Sequence, residues 1–90
     1  MNKSDLVDAI AREQGISKRQ AGDVLDSVMK NIVGSVKKGD EVRLVGFGTF
    51  YRAKRKARTG INPRTKQKMQ IPAKNVPKFR PSADFKKNVE

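Results

Sequence analysis

The side chains of this 90-residue chain that could do chemistry are mostly cationic. The chain has no cysteine and no histidine, which excludes disulfides, thiolate chemistry and the usual ligands of zinc. It carries 21 lysines and arginines against 9 aspartates and glutamates, a formal net charge of +12. Because so large a charge on a small chain attracts polyanions, we expect a nucleic acid as the partner.

The acidic residues offer little for catalysis. Most of the nine carboxylates fall on predicted helix surfaces, and they form no paired set in a predicted pocket. We therefore expect no enzymatic activity, no cofactor and no metal ion. A site built from carboxylate or lysine side chains stays open as an alternative.

The positive charge is concentrated in one part of the chain. Residues 52–80 contain eleven basic residues and no acidic one, whereas residues 1–51 contain eight basic and seven acidic residues. This distribution is typical of a binding surface attached to a nearly neutral body. The candidate nucleic-acid ligands are the cations of this tract and one turn residue: Arg52, Lys54, Arg55, Lys56, Arg58, Asn62, Arg64, Lys66, Lys68, Lys74, Lys78 and Arg80.

Two helices are predicted in the first part of the chain. Asn2 can cap a first helix, which Gly15 ends. Ser17 and Gln20 form a capping-box pattern for a second helix, and apolar residues then recur at spacings of three and four until a stop at Gly39. We interpret this apolar stripe as core.

The pattern changes to that of strands after the second helix. Residues 41–45 alternate like a half-buried strand, and Gly46 and Gly48 flank a sharp turn into a second strand. Ser82 can cap a last short helix. These patterns predict an α+β fold with antiparallel strands.

A two-stranded arm is predicted within the basic tract. Beyond Tyr51 apolar side chains nearly vanish until Met69, while turn signals cluster at Gly60, Asn62 and Pro63. Strands with no core to cover project into solvent, and isolated ribbons are marginally stable in water. We place this arm at about residues 52–76 of a single domain that spans residues 1–90.

The body outside the arm is small for a stable monomer. Only roughly 65 residues are left, a size at which cores are marginal. Phe47, Phe50 and Phe79 lie at the body end of the strands and are too many large rings for so small a core. We expect a dimer in which these rings form a shared core; packing within one chain is the alternative.

Residues at particular spacings extend this interpretation over the whole chain. They are Gly46-Phe47-Gly48-Thr49-Phe50, Arg55, Ala57-Arg58, Gly60, Asn62-Pro63, Thr65, Ile71-Pro72-Ala73, Pro77, Phe79 and Lys86. The pattern resembles the signature of the bacterial HU and integration host factor family, whose members are known minor-groove DNA-bending proteins. The resemblance implies an intertwined dimer with a helical base, a three-stranded antiparallel sheet as a saddle and two protruding two-stranded β-arms. We expect a homodimer, and a heterodimer stays open as an alternative.

The resemblance also implies how such a dimer acts. Its arms wrap double-stranded DNA, and Pro63 wedges between base pairs, so that the duplex is bent and compacted with a preference for distorted DNA. Low sequence specificity is favoured, because the arm has few side chains that could read base edges. A sequence-preferring integration host factor subunit and an RNA-binding protein stay open as alternatives.

The start of the chain bears on its location. Residues Met1–Asp5 lead into a polar amphipathic pattern, with neither the apolar core of a signal peptide nor a membrane-spanning run. We expect a cytoplasmic protein that does not associate with membranes. The resemblance implies a place in the nucleoid.

Overall fold

A computed structural model describes all of residues 1–90, which form three helices and five strands. The elements in chain order are α1 (Lys3–Gln14), α2 (Lys18–Lys37), β1 (Val42–Leu44), β2 (Gly48–Arg55), β3 (Arg58–Ile61), β4 (Lys68–Ile71), β5 (Lys74–Pro81) and α3 (Ala83–Val89). The chain divides into two compact units, Met1–Gly34 and Ser35–Glu90. The predicted α+β class is confirmed.

Capping groups set both ends of α1, as predicted. The backbone N–H of Asp5 donates to Oδ1 of Asn2 at 2.9 Å, and the backbone N–H of Asn2 donates to the Asp5 carboxylate at 3.1 Å. Gly15 then ends the helix at φ 65°, a left-handed conformation that suits a residue without Cβ.

A reciprocal capping box begins α2. The backbone N–H of Gln20 donates to Oγ of Ser17 at 3.0 Å, and the backbone N–H of Ser17 donates to Oε1 of Gln20 at 3.2 Å. The predicted stop follows the helix at Gly39, whose φ is 93°. None of the three helices combines the length and the apolar character that a membrane crossing requires.

The core of one chain is small. Its buried apolar residues are Ala11, Ala21 and Val36, and no large side chain is fully buried. The apolar stripe of α2, predicted as core, is open over much of its length: Val24 is 56% exposed and Val33 is 65% exposed. Apolar surface of this extent is typical of an interaction site.

Strands β1, β2 and β5 form a three-stranded antiparallel sheet with β2 in the centre. Phe50 of β2 pairs with Val42 on one side and with Phe79 on the other. The chain turns from β1 into β2 through Gly46, whose φ is 81°. Strand β5 is an edge strand, a position that tolerates Pro77 because the residue has no N–H to donate to a neighbouring strand.

Four phenylalanines form one cluster in the second unit. The ring centroids of Phe50 and Phe79 are 4.8 Å apart, and the Phe47 centroid lies 5.3 Å from that of Phe79 and 5.4 Å from that of Phe85. Phe47 and Phe79 are still 44% and 38% exposed. The rings therefore pack within one chain, but that chain does not cover them.

Strands β3 and β4 form a separate two-stranded antiparallel sheet, as the arm prediction requires. Arg58 pairs with Ile71 at one end, and Ile61 pairs with Lys68 at the other. Gly60 lies inside β3, so its interpretation as a turn signal is wrong. A Cβ at Gly60 would lie 3.0 Å from Cδ1 of Ile71, and this close approach explains a glycine within a strand.

Gly48→Ala is expected to destabilise the protein. A Cβ at Gly48 would lie 2.5 Å from two ring carbons of Phe79 and 2.7 Å from the carbonyl oxygen of Arg80. Overpacking of this kind costs about 1–3 kcal/mol. The measurement is the midpoint of chemical denaturation, which should fall.

Gly22→Ala is the matched control. Its Cβ would meet only Cγ1 of Val7, at 4.0 Å, and alanine is favoured over glycine within a helix by about 1 kcal/mol. The two midpoints should therefore move in opposite directions. A Gly48→Ala midpoint equal to that of the unsubstituted protein would contradict the steric account.

Candidate nucleic-acid interface

Strand pairing sorts the basic residues of the three-stranded sheet onto its two faces. Side chains alternate along a strand, and directly paired residues share a face, so the register decides the face of each residue. The face opposite to Phe50 and Phe79 carries five cations and one tyrosine. These residues, which we call the cationic face, are Arg43, Tyr51, Arg55, Lys74, Lys78 and Arg80.

The centre of the cationic face is a row across all three strands. Arg43 and Arg80 pair with Thr49 from its two sides, and Thr49 is 8% exposed. The Arg80 guanidinium carbon lies 5.1 Å from the centroid of the Tyr51 ring, within the range of a cation–π interaction. Lys78 pairs directly with Tyr51. The guanidinium of Arg80 is thus held against the sheet beside other positive charges.

The carboxylates of the chain do not neutralise the basic tract. The two ion pairs of the structure join Lys3 to Asp26 at 2.6 Å and Lys18 to Asp8 at 3.4 Å. Both lie in the first unit, and no cation of residues 52–80 takes part in one. Because like charges across a ribbon repel each other, a bound polyanion would stabilise this arrangement.

Arg55 lies at the end of β2, directly opposite Lys74 of β5. Its side chain is partly buried, and its Nε has no hydrogen-bond partner. A guanidinium keeps its charge in such surroundings. Arg55 and Lys74 therefore place two positive charges on the cationic face where the sheet leads into the arm.

Of the predicted ligands outside the β3–β4 ribbon, three do not lie on the cationic face. Arg52 and Lys54 share the other face of β2 with Phe50. Nη1 of Arg52 donates to the carbonyl oxygen of Lys37 at 3.2 Å, at the end of α2. Lys56 lies between β2 and β3 and belongs to neither sheet. The structure therefore divides the basic tract, which charge alone had treated as uniform.

The arm carries its cations on both faces. Arg58 shares one face with Ile71, and Lys68 shares the other with Ile61, which is 69% exposed. Arg58 and Lys68 are both exposed. The ribbon thus presents positive charge to either side, with apolar side chains between the charges.

An Asx turn shapes the tip of the arm. Oδ1 of Asn62 accepts a hydrogen bond from the backbone N–H of Arg64 at 2.9 Å, and the backbone N–H of Asn62 donates to the carbonyl oxygen of Gln67 at 2.8 Å. The carbonyl oxygen of Asn62 accepts from the N–H of Lys66 at 2.7 Å. Pro63 is exposed at this corner. The Asn62 oxygen thus serves the turn, and its amide nitrogen is the group left for a ligand.

The structure adds three residues to the two surfaces described above that the sequence did not predict as site residues. Arg43 belongs to the cationic face, and the alternation of residues 41–45 already separates it from Val42. Tyr51 belongs there because it orients Arg80. Phe85 completes the aromatic cluster from α3. No local pattern links these residues to the tract, because the link depends on how the strands pair.

The fold and this surface define a class of protein: a small α+β chain whose unneutralised cationic face continues into a basic β-arm, as in architectural nucleic-acid-binding proteins. The sequence profile described as "Bacterial DNA-binding protein" matches residues 1–90. The chain belongs to this family, that of the HU proteins.

Known HU proteins are similar to this chain in both sequence and structure. The DNA-binding protein HU of Nostoc sp. is 47% identical over 99% of this chain and 95% of its own length, and that of Geobacillus stearothermophilus is 43% identical over the full length of both. The Anabaena HU–DNA cocrystal structure has a TM-score of 0.95 at 47% identity, covering 99% of this chain and 97% of that one. HU from Thermotoga maritima has a TM-score of 0.72 at 29% identity, with full coverage of both chains. The resemblance and the HU fold are confirmed.

Lys66→Asn is expected to stabilise the tip of the arm. Lys66 has φ 56° and is the one residue with a Cβ at positive φ, a conformation that costs an ordinary residue about 1–2 kcal/mol and asparagine less. The amide of Asn62, which closes the tip, should exchange with solvent about three-fold more slowly, given the strain relieved. Hydrogen exchange followed by NMR measures this rate.

Lys66→Gln is the control for charge. It removes the same positive charge but has no preference for the left-handed conformation, so the exchange rate of the Asn62 amide should stay that of the unsubstituted protein. Equal slowing by both substitutions would show that charge repulsion, and not backbone conformation, limits the stability of the tip.

Proposed function

We propose that this chain is a histone-like architectural protein that binds double-stranded DNA as a dimer, with low sequence specificity, and bends and compacts it. The observation that carries the proposal is the cationic face without ion pairs, which continues into a basic arm. Relatives along the whole chain are named DNA-binding protein HU, and one was solved with DNA. The profile match over residues 1–90 supports one functional domain, and the separate sheet of β3 and β4 supports an arm within the predicted range of about residues 52–76.

The cationic face and the arm contribute differently in this proposal. Phosphates lie on the sheet against Arg43, Lys78 and Arg80, where neighbouring strands hold the charges close together. The arm follows the minor groove, where arginine is favoured because a guanidinium is more weakly hydrated than an ammonium. The cations assigned to the groove and its flanking phosphates are Arg55, Arg58, Arg64, Lys66, Lys68 and Lys74. Lys54 and Lys56 stay predicted ligands on sequence grounds.

Pro63 is the proposed wedge at the tip. The Asx turn of Asn62 presents its ring at an exposed corner. A proline between two base pairs leaves no N–H without a partner, and such a wedge unstacks the step and kinks the duplex. Bending a site of 20–30 base pairs costs about 1–6 kcal/mol, which the added phosphate contacts offset.

Pro63→Ala tests this mechanism. The unsubstituted dimer is expected to bind nicked DNA more tightly than intact duplex, and the logarithm of its affinity should fall with log salt at a slope of about −5 to −9 if about six to ten phosphates are contacted. Pro63→Ala should lower the bend angle and the preference for nicked DNA, because the wedge is lost, more than it lowers the overall affinity. Salt-titrated gel shifts and end-to-end energy transfer measure these quantities.

Arg43→Met is the complementary variant in that experiment. It removes one proposed phosphate contact from each protomer, so the salt slope should become shallower by about 2 per dimer while the bend persists. A salt-independent affinity would refute electrostatic DNA binding. A Pro63→Ala complex bent as strongly as that of the unsubstituted protein would refute the wedge alone.

The dimer proposal rests on apolar surface that one chain leaves open. Val45 is 96% exposed, Phe47 of the aromatic cluster is 44% exposed, and Val33 on the α2 stripe is 65% exposed. A body of roughly 65 residues rarely tolerates so much open apolar surface without a second copy. A homodimer buries Phe47, Phe50 and Phe79 in a shared core.

Val33→Asp is expected to shift the protein from dimer to monomer. It places a charge on the proposed interface, where desolvation would be costly. Sedimentation at a fixed protein concentration should then give the mass of one chain. Ile61→Asp is the control, because Ile61 is similarly exposed at 69% but lies on the arm. A monomeric unsubstituted protein, or dimers with both variants, would contradict the assignment.

RNA is a weaker candidate because the aromatic rings are engaged elsewhere. Single-stranded RNA is recognised largely by stacking bases on open rings. The four phenylalanines pack on one another, and the guanidinium of Arg80 lies over Tyr51. Excess RNA of matched length should therefore compete less well than unlabelled duplex.

The remaining alternatives are separated by simple competition and activity assays. The family is named for DNA binding and not for a reaction, and we assign no catalytic role. A footprint confined to one sequence in excess random DNA would favour an integration host factor-like subunit. We place the protein in the cytoplasm, on the nucleoid, because its proposed ligand is chromosomal DNA.

A further inference from the structure

Arg52 differs from the other cations of the basic tract in what its side chain contacts. Its Nη1 donates a hydrogen bond to the carbonyl oxygen of Lys37 at 3.2 Å. Lys37 is the last residue of α2. The last carbonyl groups of a helix have no partners within it, and they carry the negative end of the helix dipole. Arg52 supplies both a donor and a positive charge to this end.

The backbone hydrogen bonds around the end of α2 leave the carbonyl oxygen of Lys37 open to a donor from elsewhere in the chain. The carbonyl oxygen of Ser35 accepts from the N–H groups of Lys38 and Asp40, and that of Val36 accepts from the N–H of Gly39. The chain then departs toward β1, and the carbonyl oxygen of Lys37 receives its hydrogen bond from Arg52. Backbone N–H groups thus bond the carbonyl oxygens of Ser35 and Val36, and the guanidinium of Arg52 bonds that of Lys37.

Gly39, next to this contact, leaves space for the guanidinium of Arg52 because it has no Cβ. A Cβ at Gly39 would lie 2.9 Å from Nη2 of Arg52 and 3.4 Å from its Cζ. Gly39 also has φ 93°, which disfavours any residue with a Cβ. Glycine at this position therefore serves both the turn and the seating of the Arg52 side chain.

The register of the sheet directs Arg52 away from the other charges. Arg52 pairs with Pro77, whereas the neighbouring Tyr51 pairs with Lys78 on the cationic face. Strand alternation places Arg52 on the face of Phe50, opposite to the cationic face. A duplex lying on the cationic face would meet Lys78, and Arg52 would be on the far side of the sheet.

We infer that Arg52 is a positioning residue that joins the end of α2 to β2, the strand that leads into the arm, and that it binds no phosphate. The capping half of this inference stands on the contacts with Lys37 and Gly39. The phosphate half rests on the proposed function, since it removes one candidate from the DNA-binding set of each protomer.

Three matched substitutions to methionine test the inference, because each removes one cation from β2. Arg52→Met should lower the melting temperature by about 2–5 °C, as expected for the loss of one exposed charged cap in a domain of this size, and leave the salt slope of DNA binding unchanged. Arg55→Met should make that slope shallower by about 2 per dimer with little thermal effect. Lys54→Met, on the same face as Arg52, should leave the melting temperature unchanged.

A second measurement separates capping from a general effect of packing. Arg52→Lys keeps a donor and a charge, so it should recover part of the lost melting temperature. Gly39→Ala should cost less in the Arg52→Met background than alone, because the contact between its Cβ and the guanidinium is then absent. All melts use one protein concentration, since the stability of a dimer depends on it.

The outcomes separate this inference from the proposed function. A shallower salt slope for Arg52→Met would overturn the inference, as would a melting temperature equal to that of Lys54→Met. Additive effects of Gly39→Ala and Arg52→Met would overturn the seating of the guanidinium against Gly39. If the unsubstituted protein itself bound DNA without dependence on salt, the proposed function would fail, while the thermal result for Arg52 would still test the cap.

Discussion

The mutual repulsion of unpaired cations is the constraint on which the rest of this structure depends. Eleven positive charges fall within residues 52–80 without one acidic residue among them, and the ion pairs of the chain lie elsewhere. Strand alternation separates neighbours in β2 onto opposite faces, and the ribbon of β3 and β4 carries others away from the sheet. The fold does not neutralise these positive charges, but it exposes them on surfaces where a bound polyanion can neutralise them.

This arrangement is made at the expense of the core. The residues of the arm bury little apolar surface. The buried apolar side chains of the chain are only Ala11, Ala21 and Val36. The aromatic cluster and the α2 stripe are left partly open. The cationic binding surface and the exposed apolar surface therefore both follow from the distribution of residues along one short chain.

Local rules predict much of this fold and little of how its side chains are used. The caps at Asn2 and Ser17 set helix starts because their bonds reach only three residues along the chain. Strand alternation alone puts Arg52 and Arg55 on opposite faces of β2, but it does not predict the strand partners that make one face cationic, or the contact of Arg52 with Lys37 fifteen residues away. Charge alone places both arginines in one tract; strand pairing and a helix end separate them.

The edge position of β5 has a consequence for how closely copies of the protein can crowd together. An open strand edge can template the addition of another chain and start aggregation. Pro77 interrupts the donors along β5, Lys74 and Lys78 bring charges that repel an approaching strand, and β1 at the other edge has only three residues. These edges therefore disfavour the joining of sheets from two copies of the chain.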